Sequence, residues 1–476
     1  MRLQVNPILA TDSYKLSHFA AYPKNVLGMY SYVAPRIGNK TIIPVGLQMW
    51  IQKFLTIRIT EAHIDEAEIF ASLHGEPFNR DAWEYIRTTH GGYLPVVIRA
   101  VPEGTPVPSG MPIVTIECTD PKVFWLSSYL ETALQRAVWY PTTIASMDYS
   151  IKKDIEHFYR ISGADMSMLP FALHDFGARG VTCAEQAEIG GCAHLANFMA
   201  SDNIEGVRAA NFFYNHNMAA FSVPATEHSV ECSFGGSSAE ELEYLRNTIT
   251  ELAKPGGIVS IVIDGYDVYR AAELLCTELR DLIKSCGAKV VFRPDSGDMM
   301  EVVPRILRMQ ELAFGSVINA KGYKKINTVG LIQGDGVDHM AIKSLLGKVL
   351  LNGYSADNVV FGSGGALLQK VDRDTLKFAQ KASAILVREI LSMGAHGGTY
   401  RDIWKSISKN PITDPGKKSL AGRVTLIRSK LTGEYMVGDM DKDLNSEFES
   451  VMVVVYNNGM IQNKTTLEEI RKRASQ

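Results

Sequence analysis

Residues 257–298 read GIVSIVIDGYDVYRAAELLCTELRDLIKSCGAKVVFRPDSGD and hold one pattern twice. An apolar run, IVSIVI, meets a Gly/Asp corner, a helical stretch follows, and a second run, KVVF, ends in a second acidic corner. Parallel neighbours in a sheet need a crossover, so strand, corner and helix leading to a further strand is the unit of a parallel α/β fold. The rhythm starts near Leu169. FALHDFGARG leads into TCAEQAEIGGCAHLANF, and AAFSVPATEH into SVECS. After the quoted stretch, TVGLIQGDGVD leads into HMAIKSLLGKVL, and NVVFGSGGALL closes the series. Units this numerous predict an α/β barrel, whose strand-end corners form one face and carry the chemistry. That face gathers Asp175, Arg179, Glu227, His228, Asp264, Arg293, Asp295, Asp335, Gly364 and Gly365.

The chain ends read differently. MYSYVAPR (29–36) and YLPVVIRAVPEGTPVPSGMPIVTIE (93–117) are strand-like with Pro/Gly punctuation. A helix is predicted from Lys122 to about Trp139, stopped by Tyr140-Pro141. RVTLIRSK, EYMVGD and ESVMVVVYNNGM return to strands that join the N-terminal layer. The expected organisation is a barrel over 148–383 and a second, mostly β (α+β) domain from both chain ends, 1–147 with strands of about 384–476.

A chain of 476 residues exceeds one ordinary core, and 46% apolar with 21% charged residues is a globular profile. Lys+Arg 49 against Asp+Glu 52 gives a net charge of −3, without the basic excess of nucleic-acid binders. The cysteines (Cys118, Cys183, Cys192, Cys232, Cys276 and Cys286) form no C-x-x-C pair and read as reduced thiols. MRLQVNPILATDSYK lacks a basic segment followed by an apolar one, and no apolar run is long enough for a bilayer. A cytoplasmic protein without membrane or nucleic-acid partners is expected.

Three corners share a D-x-x-D spacing: Asp264/Asp267, Asp295/Asp298 and Asp335/Asp338. The second Asp of each pair is placed to cap the following helix. The first stands at a strand end, where a carboxylate can accept from a sugar diol or hold Mg²⁺ through oxygen and water. FGSGGALL (361–368) can cradle a phosphate on backbone N–H groups, and Lys370, Arg373, Lys377 and Lys381 follow it. With Arg179 and Arg293, these predict an anion pocket. Phe176 is either barrel core or a platform for a flat ring. G-x-x-x-x-G-K-[ST], a strand-borne G-x-G-x-x-G, H-E-x-x-H and G-x-S-x-G are all missing. Together the corners suit a ribose phosphate joined to a heteroaromatic base. A metal-dependent sugar-phosphate lyase or isomerase, and a barrel kept as an interaction protein, stay open as alternatives.

The stretches ATDSYKLSH (10–18), VPEGTPVPSGMP (101–112), LHDFGARG (173–180), VPATEHS (223–229), RPDSG (293–297), QGDGVD (333–338) and FGSGGALLQK (361–370) run in order along nearly the whole chain. With them the sequence resembles the nicotinate/nicotinamide phosphoribosyltransferase family. The resemblance implies a homodimer with a type II phosphoribosyltransferase barrel and active sites at the subunit interface. The implied reaction joins nicotinamide to 5-phosphoribosyl 1-pyrophosphate, giving nicotinamide mononucleotide and pyrophosphate, with Mg²⁺ and with ATP as coupling co-substrate. The nearest alternative is a nicotinate-using enzyme. By motif, Phe176 is similar to the residue stacking one face of nicotinamide, with Tyr14 of the other subunit on the opposite face. Asp202, in NFMASDNIEG, resembles the acid that accepts from the carboxamide. Arg179, His228 and Arg293 match pyrophosphate-side residues; Asp264, Asp295, Gly334 and Asp335 match the ribose and Mg²⁺ side, with Asp264 and Asp295 as the metal carboxylates, and Ser260 is a further substrate-binding residue. Gly364, Gly365 and Arg373 match the mononucleotide phosphate site, with Lys381 and Lys417 as further anion contacts. His228 is then the histidine phosphorylated by ATP, its imidazole oriented by Glu227. Ala379 departs from the pattern, since family members can carry a hydroxyl there.

Overall fold

The computed structural model describes residues 5–394, 397–414 and 417–476. The chain forms two compact units. One comprises the chain up to Ser146 with Phe213–Asn215 and Val371–Gln476; the other comprises Met147–Phe212 and His216–Lys370.

The first unit is built on a seven-stranded sheet in the order Gly397–Ser406, Phe378–Gly394, Val26–Pro35, Val114–Cys118, Val96–Ala100, Val453–Asn457, Met460–Ile461. Val26–Pro35 runs antiparallel to both neighbours, with Tyr32 opposite Thr115 on one side and Lys381 on the other. Nearly every residue of this strand is buried, Ser31 included, so its apolar residues show no alternation with exposed polar ones. Its core includes Val33, Ile98, Ile116, Trp83, Trp125 and Tyr129. The predicted return of the C-terminal strands is met by Val453–Asn457, which pairs with Val96–Ala100. The other two stretches form a separate small sheet, Tyr435–Asp439, Val424–Ser429 and Phe448–Ser450.

The predicted helix stop at Tyr140-Pro141 is overturned. One helix runs from Glu131 to Ser162 with Pro141 inside it, and its residues from Met147 onward are counted with the second unit. A proline inside a helix costs about 3 kcal/mol through its missing N–H and ring clash. Burial of Val138, Tyr140 and Ile144 around it offsets that cost. Gly46, at φ 100°, lies flush against the ring; a Cβ there would fall 2.4 Å from Pro141 Cγ. Local propensity was read correctly, and tertiary packing outweighed it.

The second unit carries six parallel strands. They are β1 (Leu173–Asp175), β2 (Ala200–Ser201), β3 (Ile258–Val262), β4 (Lys289–Arg293), β5 (Val329–Gln333) and β6 (Val359–Ser363), in the sheet order β2-β1-β6-β5-β4-β3. Isolated bridges Ala200–Phe221 and Ala225–Ser260 tie the segment around 221–226 to both edge strands. The helices that return the chain include α1 (Ala184–His194), α2 (Ile204–Phe213), α3 (His228–Phe234), α4 (Val268–Cys276), α5 (Met299–Phe314) and α6 (His339–Leu351). Asp267, Asp298 and Asp338 cap α4, α5 and α6, each accepting from a backbone N–H of the first turn. The second Asp of every D-x-x-D corner is therefore a helix cap. No disulfide joins any of the six cysteines, and among the described residues no helix is long and apolar enough to cross a membrane.

Candidate active site

Phe176 follows β1 directly, its N–H donating to the Ser363 carbonyl at the end of β6 (2.9 Å). Its ring lies on the backbone of Gly362: a Cβ there would fall 2.0 Å from Phe176 Cε2. A Cβ on Gly334 would meet Asp295 Oδ1 at 2.5 Å and the same ring at 3.8 Å. The glycines after β5 and within β6 thus make room for a half-buried aromatic beside an acid. The open choice for Phe176 resolves to a ring at the strand ends rather than in the core.

Asp202 follows β2 and is exposed. Its Oδ1 accepts from Ser222 Oγ at 2.5 Å, and its N–H donates to the Asp175 carbonyl at 3.0 Å. Ser222 also lines a cavity of about 260 Å³ with His174, Phe221, Val223, Ser260 and Val291. Burial pushes the His174 imidazole down to about 4, so it is neutral at physiological pH.

His228 begins α3, and its Nε2 lies 3.1 Å from Asp264 Oδ1 at the end of β3. Glu227 was expected to orient this ring. Its carboxylate instead accepts from Ser229 Oγ (2.5 Å) and reaches Arg179 at 3.8 Å, so the acid beside the imidazole is Asp264. Arg179 is 88% exposed at its side chain, a cation open to an incoming anion. One turn on from His228, Glu231 is buried and accepts from the Gly265 N–H at 3.0 Å.

Arg293 ends β4, and its Nε is buried with no hydrogen-bond partner among the described residues; Ser260 Oγ on β3 is in the same condition. Buried donors left unpaired are costly, so both point to a ligand. Burial raises the Asp295 carboxyl, opposed by the Arg293 guanidinium and reinforced by repulsion from Asp264 and Asp335. A divalent cation would relieve that repulsion. Mg²⁺ characteristically takes one or two protein carboxylates, completing its shell with substrate phosphates and water, and Asp264 with Asp295 fits that need. Asp335 is exposed; its carbonyl accepts from Gln333 Nε2 at 2.9 Å.

Gly364 and Gly365 form the turn after β6. Arg373, Lys381 and Lys417 lie in the first unit, as does Tyr14. There, Lys381 is half-buried with Nζ donating to the Gln380 carbonyl (2.7 Å), and burial lowers its ammonium pKa. Arg373 pairs with Asp374 (3.1 Å) and Lys417 with Asp414 (3.0 Å). Ala379 is buried in its strand opposite Ala34. Tyr14 sits in a single helical turn, Ser13–Leu16, anchored by Lys15 Nζ on Glu131 (2.8 Å), while its own ring is 54% exposed.

Sequence reasoning missed Gly362, Ser222 and Glu231. The first had a signal in FGSGG, where a glycine precedes the cradle inside the strand. Ser222 and Glu231 had none, because a serine in an apolar stretch and an acid in a short helix are ordinary.

The Nicotinate phosphoribosyltransferase (NAPRTase) family model matches residues 171–460, and that of the Nicotinamide phosphoribosyltransferase, N-terminal domain, matches residues 6–98. The chain is 44% identical over 475 residues to the nicotinamide phosphoribosyltransferase of Xanthomonas campestris pv. campestris (strain 8004), covering 98% of each. It is 32% identical to that of Acinetobacter baylyi, covering 100% of this chain and 98% of the relative. Among solved structures, nicotinate-nucleotide pyrophosphorylase from Pyrococcus furiosus aligns with a TM-score of 0.61 at 16% identity, covering 100% of this chain and 96% of the other. Human nicotinic acid phosphoribosyltransferase aligns at 0.57 with 15% identity, covering 98% and 93%. These likenesses are of fold.

Proposed function

The chain belongs to the nicotinate/nicotinamide phosphoribosyltransferase family, and from that premise we propose the following reading of its site. It is a nicotinamide phosphoribosyltransferase: the pyridine nitrogen bonds to C1′ of 5-phosphoribosyl 1-pyrophosphate, the C1′–O bond breaks, and pyrophosphate leaves with that electron pair. The pyridine nitrogen carries no proton, so no general base is needed. Catalysis rests on orientation and on stabilising the leaving group.

The observation that carries the reading is the Phe176 ring, seated on Gly362 beside Asp295, with the Nε of Arg293, two residues before Asp295, buried without a partner among the described residues. Phe176 stacks on nicotinamide, and the Asp202 carboxylate accepts from the carboxamide N–H. Arg179, Arg293 and His228 face pyrophosphate; Ser260, Asp264, Asp295, Gly334 and Asp335 serve the ribose side. Asp264 and Asp295 would hold Mg²⁺, which when bound neutralises charge on the leaving pyrophosphate. Gly364 and Gly365 cradle the mononucleotide phosphate, and Arg373, Lys381 and Lys417 of the first unit are taken as anion contacts by their match to the family motif. His228 is the group that ATP phosphorylates: the γ-phosphoryl passes to the imidazole, ADP leaves, and water later releases phosphate.

In this reading the second unit's sheet is a type II phosphoribosyltransferase barrel, and the protein works in the cytoplasm as a homodimer. The partner subunit's Tyr14 covers the open face of the base. Exposed Ile204, Phe212, Met218 and Phe221, close in sequence to Asp202 and Ser222, support an apolar interface there. The test is mononucleotide formation from nicotinamide and from nicotinate, each with and without ATP. Strong preference for nicotinamide with an ATP-dependent gain is expected; equal use of both bases would return the assignment to the nicotinate branch.

A further inference from the structure

Two fully buried side chains, Asp175 and Asn203, flank the two residues proposed to hold the base: Asp175 precedes Phe176, and Asn203 follows Asp202. Asn203 Nδ2 donates to Asp175 Oδ2 and to the Ala187 carbonyl of α1, both at 2.9 Å. Its Oδ1 accepts from the Gly206 N–H at 3.1 Å, and its own N–H donates to Ser201 Oγ at 3.1 Å. Asp175 Oδ1 accepts from the Gly177 N–H at 2.7 Å, fixing the other side of the Phe176 corner. Beside them, His194 Nδ1 meets Asp148 Oδ2 at 2.7 Å, also fully buried. Both amide hydrogens of Asn203 and both Asp175 oxygens are thus engaged. A buried pair whose side-chain polar atoms are all engaged specifies geometry, because any slip leaves a group unpaired at high cost.

We propose that the Asp175–Asn203 bond is a positioning pair that locks the Phe176 ring platform to the Asp202 carboxylate and so sets the preference for a carboxamide over a carboxylate base. The inference rests on the roles given above to Phe176 and Asp202. Neither Asp175 nor Asn203 touches the base; each acts through its chain neighbour. Asn203→Ala removes the tie and leaves Asp175 Oδ2 and the Ala187 carbonyl without their donor. The ring and carboxylate then no longer meet the base together.

The test uses the full-length protein with both bases, reading KM and kcat separately alongside the thermal midpoint. Wild type must first form mononucleotide and prefer nicotinamide; if it does not, the functional reading fails and this inference with it. Given that preference, Asn203→Ala should raise the nicotinamide KM about tenfold, keep the KM for 5-phosphoribosyl 1-pyrophosphate within about twofold, and narrow the base preference about tenfold. Asn203→Ser, which keeps a short hydroxyl, is the milder variant and should fall between. A lowered midpoint with unchanged nicotinamide KM and base preference would assign the pair to stability alone and overturn the proposal. So would failure of both variants to fold.

Discussion

Glu231 shows how a single side chain records the crowding of acids around this site. It is 1% exposed, with one oxygen on the Gly265 N–H and the other without a partner among the described residues. Burial, with repulsion from Asp264 against the Gly265 hydrogen bond, pushes its carboxyl up to about 7. In the unfolded chain it loses its proton near the ordinary carboxylate value, so between roughly pH 4.5 and 7 the native state binds more protons. Stability therefore falls as pH rises through that window and levels off above it. Glu231→Gln should remove this loss and stabilise the protein at pH 8, by on the order of 2–3 kcal/mol, in metal-free buffer. Denaturant midpoints of both proteins at pH 5 and pH 8 check it: equal differences at the two values would show that the carboxyl is not strained by its surroundings. The first Asp of each corner belongs to the same crowd, which is why strand-end acids could be read from sequence as candidates while their mutual repulsion could not.

The helices separate structural from functional acids. Asp298 caps α5 through the Met300 N–H at 2.8 Å, three residues after Asp295 at the strand end. Asp298→Ala should cost about 1 kcal/mol of stability, the usual worth of such a cap, and leave the nicotinamide KM within about twofold. Chemical denaturation and steady-state rates on the same preparation decide it, and a large kinetic effect without loss of stability would move Asp298 into the site. The D-x-x-D spacing made the capping role legible because cap geometry is local: the acid sits one residue before the helix that needs it. Pro141 is the contrasting case. Its local meaning was clear, yet the helix from Glu131 to Ser162 runs through it, because Gly46 and buried neighbours outweigh a cost of about 3 kcal/mol.

At the scale of the molecule, the exposed Tyr14 ring and the proposed partner-shared site lead to a complementation experiment. Tyr14→Ala and Phe176→Ala proteins should each be nearly inactive. After subunit exchange, a mixed dimer has one site with both rings intact, so up to about half of its sites regain function on the ordinary symmetry of a two-fold dimer. Activity measured before and after exchange checks this, and no recovery despite demonstrated exchange would place both rings in one subunit's site. The amino-acid sequence by itself determined the parallel α/β unit, because apolar runs buried on both faces and acidic strand-end corners recur with a period set by local geometry. It also determined the caps and the chemical character of the corners, since both depend on residues close in the chain. Only the tertiary structure decided that Asp264 rather than Glu227 stands beside His228, that Phe176 rests on Gly362, and that Asn203 ties to Asp175. Those pairs lie 36, 186 and 28 residues apart, in that order. Which side chain of a corner reaches which neighbour is settled by close packing across strands, and no local pattern encodes that.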